Sequence, residues 1–536
     1  MTRRHFILLL WIAGAAAAIA WYLHGISLMW GANPLFRDES TAYDQRFYIT
    51  RAMERSTGNE VPFVTRSRMP LYPVMLSPLH DGSLDEWGQI ERYMRFNVTL
   101  GICGLLLLFL TMQRRLGVLL ASLATLAAAF TFYLYKIILV QPEITFYSLH
   151  GILFVLMLEC LHGGGWRLAL ALGLLGGVVH LLKGSALLTL AAFGACLAAQ
   201  ALWRWWCQRR QAKVASVLVH LARPAAFAAG FLVVTGPFLL KSWRAYGSPL
   251  YDPNTKYYLW VDSPPEMRAL QHLELATRKP ELNEANLREP LVQHFLPKWL
   301  PDEARRAELL TKVAREKVVV LEGEWEILPT ARSWMKAHGL AGFLHRVWQG
   351  IAGHHPGSSN SVSNAVVPSA DELVAQRGML WHNFRHPNRY IWHLIIFGSA
   401  AAGGLLLMLL MRRRECCDAI RRCGMPVFFA AGSLAANLLA MGFWCYMANH
   451  NRFFLGLFIP LLYCFALTAK WSLGSIRWGS LPGAARISVP RWLAALALPA
   501  PLVLVLACCS LQELSQNLKT VAKLKDPAFA RKMLRQ

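Results

Sequence analysis

Acidic residues are scarce in this chain of 536 residues: 31 Asp and Glu stand against 55 Lys and Arg, a formal net charge of +24. Cysteine is absent from the two longest hydrophilic stretches, about 24–96 and 241–390, and no CxxC or Cys/His metal spacing occurs among the 11 cysteines. That excludes a disulfide framework and a structural zinc site of ordinary ligand spacing. The chain also has no internal repeat or low-complexity tract, which excludes a solenoid or a fibrous array. Gly163-Gly164-Gly165 follows an apolar run and not a strand, so it is a tight connection and not a phosphate loop.

What the chain has instead is apolar sequence, at 55% hydrophobic residues. Too long and too apolar for one water-soluble core, it requires lipid as solvent for much of its length. Candidate membrane spans fall at 6–23, 97–112, 116–135, 144–161, 168–182, 185–202, 221–240, 391–411, 425–446, 453–469 and 492–510, about eleven in all. The first follows Arg3 and Arg4 and lacks a small-residue cleavage site, while Trp21 and Tyr22 read as interfacial anchors, so it is read as a span and not a removed signal. The expected fold is therefore an all-α polytopic membrane protein.

The distribution of positive charge orients it. Arg114 and Arg115, Arg204 to Lys213, Arg412 to Arg422, and Lys470 to Arg491 all fall in short connections on the side of the N-terminus. The positive-inside rule puts that side in the cytoplasm, which removes nucleic acid as the explanation for the charge. The long stretches then face outward: a first loop at 24–96, and a larger one at 241–390 after the seventh span. The remaining candidate spans and a basic tail fall in 391–536.

The first outer loop carries the densest pattern. Thr41-Ala42-Tyr43-Asp44 fits a helix start, apolar residues recur through Phe47, Tyr48, Ala52 and Met53, and Gly58-Asn59 ends it. That describes an amphipathic helix at the membrane surface. In Arg68-Met69-Pro70-Leu71-Tyr72-Pro73 two prolines stiffen an extended turn, and 74–79 dips back toward apolar surroundings. In the second loop, 304–320 reads as a short helix.

Chemistry on a lipid phosphate needs a carboxylate near the interface to deprotonate an acceptor and cations to hold the departing phosphate. Asp38, Glu39 and Asp44 follow the first span, Glu143 precedes the fourth, Lys183 ends the fifth, Lys241 and Arg244 follow the seventh, and Arg452 heads the tenth. Each has a plainer role: Asp44 as a capping-box carboxylate after Thr41, Glu143 as a complement to a helix N-terminus, Lys183 and Arg452 as cations reaching headgroups. His354, His355, His382 and His386, with Asp371 or Glu372, could hold a divalent metal, though their spacing fits no ligand template. No metal ligand is assigned, and a cofactor requirement stays open.

In these residues the chain resembles the GT-C superfamily of polyprenyl-phosphate-sugar glycosyltransferases, particularly the bacterial relatives of protein mannosyltransferases and aminoarabinose transferases. Asp44-Gln45-Arg46-Phe47-Tyr48 with Ala52 is similar to the family's acidic residue, Tyr and Ala on the first-loop helix; Arg68 to Pro73 resembles its R-x-P-x-Y-P stretch. Gln141-Pro142-Glu143 matches the acidic residue before the fourth span, and Asn451-Arg452-Phe453-Phe454 with Pro460 the basic residue heading a late span. The resemblance implies a seven-helix module over 1–250 with interfacial helices in its first outer loop, a variable C-terminal transmembrane region and tail at 391–536, a place in a bacterial inner membrane, and inverting transfer of a sugar from a polyprenyl-phosphate donor to an acceptor of unidentified kind on the outer side. It makes Asp44 the general base, Asp38-Glu39 the alternative pair, Glu143 a further acidic site residue, and Tyr48, Arg68, Tyr72, Lys183, Arg244 and Arg452 the donor-binding set, Lys183 or Arg452 holding the phosphate. Two rivals stand beside it: a polymerase or ligase of lipid-linked glycans using the His and Arg residues of 381–389, and a lipid-linked sugar transporter.

Overall fold

The computed structural model describes residues 3–30, 39–58, 69–129, 133, 136–208, 214–246, 248–250, 266, 269, 281–300, 302–320, 331–352, 413–448 and 455–475. They form a helical protein: α1 (Arg3–Trp30), α2 (Glu39–Ser56), α3 (Leu71–Leu76), α4 (Glu86–Leu116), α5 (Val118–Ala128), α6 (Glu143–Gly163), α7 (Trp166–Leu182), α8 (Ala186–Gln208) and α9 (Val214–Tyr246). Beyond these lie β1 (Glu281–Asn283), α10 (Glu284–Leu287), α11 (Pro290–Trp299), α12 (Glu303–Glu316), β2 (Val318–Val320), α13 (Ala331–Ala352), α14 (Arg413–Ala448) and α15 (Leu455–Ser475). Five described stretches are long and apolar enough to cross a membrane: Glu86–Leu116, Glu143–Gly163, Ala186–Trp206, Leu221–Arg244 and Gly424–Phe443. Shorter apolar helices fall at Val118–Ala128, Trp166–Leu182 and Gly456–Leu467. The expected spans at 391–411 and 492–510 lie outside the described residues.

α6 is the hub of the bundle. Its apolar stretch is 78% buried inside the protein, against 22–39% for the other four, and α4, α7, α14 and α15 all pack on it. Both its ends are complemented. Glu143 occupies its first turn, where the helix dipole favours a carboxylate, and at the far end Arg223 of α9 donates to the carbonyl oxygen of Cys160. Arg223 also donates to Gln200 at 2.9 Å, and Gln200 in turn to the Leu161 carbonyl at 3.2 Å. These bonds satisfy carbonyls that a helix end leaves without intrahelical partners.

Small residues bring helices together. A Cβ on Gly173 of α7 would lie 2.2 Å from the Phe227 carbonyl oxygen of α9, and one on Gly230 of α9 would lie 2.5 Å from the Leu170 carbonyl oxygen of α7. Such backbone approach is the packing mode open to helices in lipid, where apolar burial gives little drive to associate. Exposed tryptophans mark the bundle ends, Trp166, Trp203, Trp205 and Trp206 toward one and Trp87 and Trp243 toward the other, as interfacial belts do.

Local expectations are corrected in three places. The first-loop helix ends where Gly58 takes φ of 73°, as its sequence suggests, but it starts at Glu39 and not at Thr41. Asp44 is therefore the sixth helical residue, beyond the first turn, and the capping-box role does not fit it. Pro70 and Pro73 do not stiffen an extended turn: Pro70 is the N-cap of α3 and Pro73 lies in its first turn, where a proline's missing N–H costs nothing. Finally 304–320 is not all helix, because Lys317 breaks α12 at φ of 68° and Val318–Val320 pairs antiparallel with Glu281–Asn283, Leu282 opposite Val319.

Candidate functional site

The first loop folds back onto the end of the bundle where α6 begins and α7 stops. Three buried side chains seat it. Tyr48 of α2 packs edge-to-face on Tyr72 of α3, ring centroids 5.3 Å apart. The Tyr72 hydroxyl donates to Asn97 Oδ1 of α4 at 3.1 Å. Burial, with the Glu143 carboxylate and Tyr48 adding to it, pushes this hydroxyl well above its ordinary pKa, so it stays protonated as the donor. Asn97 Nδ2 donates to the carbonyl oxygens of Ile137 and Leu139, at 2.9 and 2.7 Å, and Gln45 Oε1 of α2 accepts from the Val140 amide at 2.8 Å. The turn before α6 is thus gripped from α4 on one side and from the loop helix on the other.

That turn delivers Glu143. Its Oε1 accepts from Lys183 Nζ at 3.3 Å, with the two side chains only 7% and 14% exposed. Lys183 caps α7 in an extended conformation, φ −155° and ψ 122°, which ends the helix and turns the chain toward α8. Its ammonium lies 5.6 Å from the ring centroids of both Phe146 and Tyr147, the cation–π distance for a partly desolvated ammonium. Met69, from the segment that opens α3, reaches the adjoining backbone: a Cβ on Gly184 would lie 2.8 Å from its methyl carbon. So α2, α3, the start of α6 and the end of α7 meet around one buried ion pair.

The two acidic candidates on α2 are placed by its backbone. Position 44 precedes Tyr48 by one turn on the same face, the face that buries Gln45, Tyr48 and Ala52, whereas Glu39 is the first helical residue. Arg244 sits exposed in the last turn of α9. Asp38, Arg68, Arg452 and the cluster from His354 to His386 lie outside the described residues. The structure thus joins Tyr48, Tyr72, Glu143 and Lys183 and gives Arg244 no contact with them. Among the described residues no group of three or more His, Cys, Asp or Glu side chains converges on a possible metal position.

Two polar clusters escape sequence reasoning. One is Asn97, read merely as the first residue of a span. The other lies deeper: His150 of α6 hydrogen-bonds the Gly456 carbonyl through Nδ1 at 3.0 Å and the Thr189 hydroxyl through Nε2 at 3.1 Å, and Asn437 of α14 donates to the same hydroxyl at 3.1 Å. The contact with a carbonyl assigns the proton to Nδ1, since a carbonyl can only accept. The signal for both was available, because a polar side chain inside an apolar run needs a buried partner.

Compared with protein-family models, with curated proteins and with solved structures, the chain finds no match.

Proposed function

We propose that this chain is an inverting glycosyltransferase that moves a sugar from a polyprenyl-phosphate donor to an acceptor at the periplasmic face of a bacterial inner membrane. The observation that carries the reading is the seating of the first-loop helices, through Tyr48, Tyr72 and Asn97, on the helix end that holds the Glu143–Lys183 pair. This juxtaposes the parts of the chain that bear the family-like motifs, segments about 100 residues apart in sequence, which composition alone does not require.

In this reading the Asp44 carboxylate takes the proton from an acceptor hydroxyl as its oxygen attacks the anomeric carbon. The bond from that carbon to the donor phosphate oxygen breaks, and polyprenyl phosphate leaves with the electron pair. Asp38 and Glu39 are the alternative bases. Cations stabilise the charge that develops on the departing phosphate. Lys183 is already half-committed to Glu143, so we assign it to orienting the site and assign the phosphate chiefly to Arg452, with Arg68 in support; Arg244, exposed on α9 and apart from these residues, is given no part. A Cβ on Gly456, at the start of α15, would lie 3.2 Å from the Phe146 ring and 4.0 Å from the Tyr147 ring, so the helix that follows Arg452 in sequence begins against the rings that flank Lys183.

Purified protein supplied with a defined polyprenyl-phosphate sugar and an envelope extract as acceptor tests the proposal. Release of polyprenyl phosphate with label moving to the extract is expected; an intact donor across sugars and extracts would overturn it. A transporter of lipid-linked sugars is the second reading, favoured by the polar network around His150 inside the bundle. It predicts movement of an intact donor across vesicles and no phosphate release.

A further inference from the structure

α13 belongs to the stretch whose composition reads as a water-exposed loop, yet in its second half a cation is buried and an apolar stripe is exposed. Gly339, at φ 63° and ψ −173°, breaks it into two halves. On the inner side Trp334, Phe343 and Val347 cluster on Phe443 of α14. The same side holds a cation: Arg346 is 4% exposed, its guanidinium 4.1 Å from the Phe443 ring centroid and 5.3 Å from that of Trp334. Its Nε donates to the Phe443 carbonyl at 3.3 Å. The outer side presents Leu340, Leu344 and Trp348, one per turn, exposed by 65%, 50% and 61%. A helix facing water has the opposite arrangement, cation outward and leucines inward. A helix facing hydrocarbon withholds its charge and shows its apolar stripe.

The neighbour agrees. Phe443 is the last residue of the apolar stretch Gly424–Phe443, and α14 itself exposes Val427, Phe428 and Leu439. We propose that the second half of α13, from Leu340 onward, is immersed in the bilayer beside the end of α14, with the Leu340–Leu344–Trp348 stripe against acyl chains. The half before Gly339, which exposes Lys336, then lies at the headgroups. This enlarges the lipid-contacting surface of the protein by an element that is not a span, and it does not rest on the glycosyltransferase reading.

The test is photo-crosslinking of the full chain in phospholipid nanodiscs, with benzoylphenylalanine replacing Leu344, or Leu340 as a second variant, and Arg305 of α12 as the exposed control. Monodisperse elution verifies folding of each. A phospholipid adduct at 344 or 340, at least tenfold above that at 305, is expected. Crosslinks from both positions to protein, whether another part of the chain or a second copy, or lipid adducts no more frequent than at 305, would overturn the proposal.

Discussion

The Glu143–Lys183 pair yields the most decisive experiment, because a structural clamp and a functional site answer it differently. At 3.3 Å the Coulomb attraction is about 5 kcal/mol with an effective dielectric near 20. Withdrawing both charges from water costs several kcal/mol for each, so the pair's net contribution to stability is small. Its integrity is another matter. Lys183→Gln leaves the Glu143 carboxylate buried without its cation, and a loss of about 3–5 kcal/mol is expected; Glu143→Gln should cost a similar amount. The double variant removes both charges and should recover most of that loss. Detergent-denaturation titrations of all four proteins, followed by tryptophan fluorescence, measure the cycle. A single-variant loss under about 1 kcal/mol would refute the reasoning, because it would mean that water reaches the pair as at an exposed surface. The double variant then separates the roles. If the pair only joins the start of α6 to the end of α7, transfer activity returns with stability. If its charges orient donor or acceptor, stability returns and activity does not.

Changing Asp44 to Asn should lower turnover about 100-fold or more with expression and donor binding retained, while Asp38→Asn and Glu39→Gln have milder effects; normal transfer by the Asp44 variant with a dead Asp38 variant would move the base to the start of the loop. Asn97→Leu removes three hydrogen bonds around the turn before α6 and leaves two carbonyls and the Tyr72 hydroxyl without that partner, so a loss of about 3 kcal/mol in the same titration is expected, against about 1 kcal/mol for Tyr72→Phe. Equal losses would show that Asn97 does not hold the turn. Gly173→Ala places a methyl group 2.2 Å from the Phe227 carbonyl oxygen, and backbone cannot yield as a flexible side chain can, so destabilisation of about 1–3 kcal/mol or misassembly is expected. A neutral result would mean that α7 and α9 are farther apart.

Helices were the most legible feature of the chain, because apolar runs bounded by arginines report directly on the solvent around them. The expected spans at 168–182 and 185–202 correspond to α7 and α8, and Glu143 and Lys183 could each be placed at a span end. Their pairing could not be read, since it depends on α6 and α7 being antiparallel neighbours with ends in register. The start of α2 is not legible because Thr41 is a good cap in isolation, whereas the helix continues back to Glu39. Similarly, the two prolines of the Tyr72 segment suggest an extended chain until one notes that both can sit in a first turn. Asn97 and His150 stand in the sequence only as single polar residues in apolar runs, and Arg346 as a cation in a hydrophilic stretch. For each, the missing information was the partner, which comes from a distant part of the chain.

The close approach of Gly173 and Gly230 also bears on how the protein is made. α7 has only 17 residues, and its backbone-contact partner is α9, not α8, which follows it directly. Phe231 is synthesised 49 residues after Leu182 (231 minus 182), a delay of roughly 2–10 s at ordinary bacterial and eukaryotic elongation rates. For that interval the glycine face of α7 is complete but has no partner, open to lipid or to any other small-residue helix leaving the insertion machinery. The order of assembly therefore contains a waiting step, and slowing translation between 185 and 230 should lengthen it and raise the fraction of chains that α9 never captures.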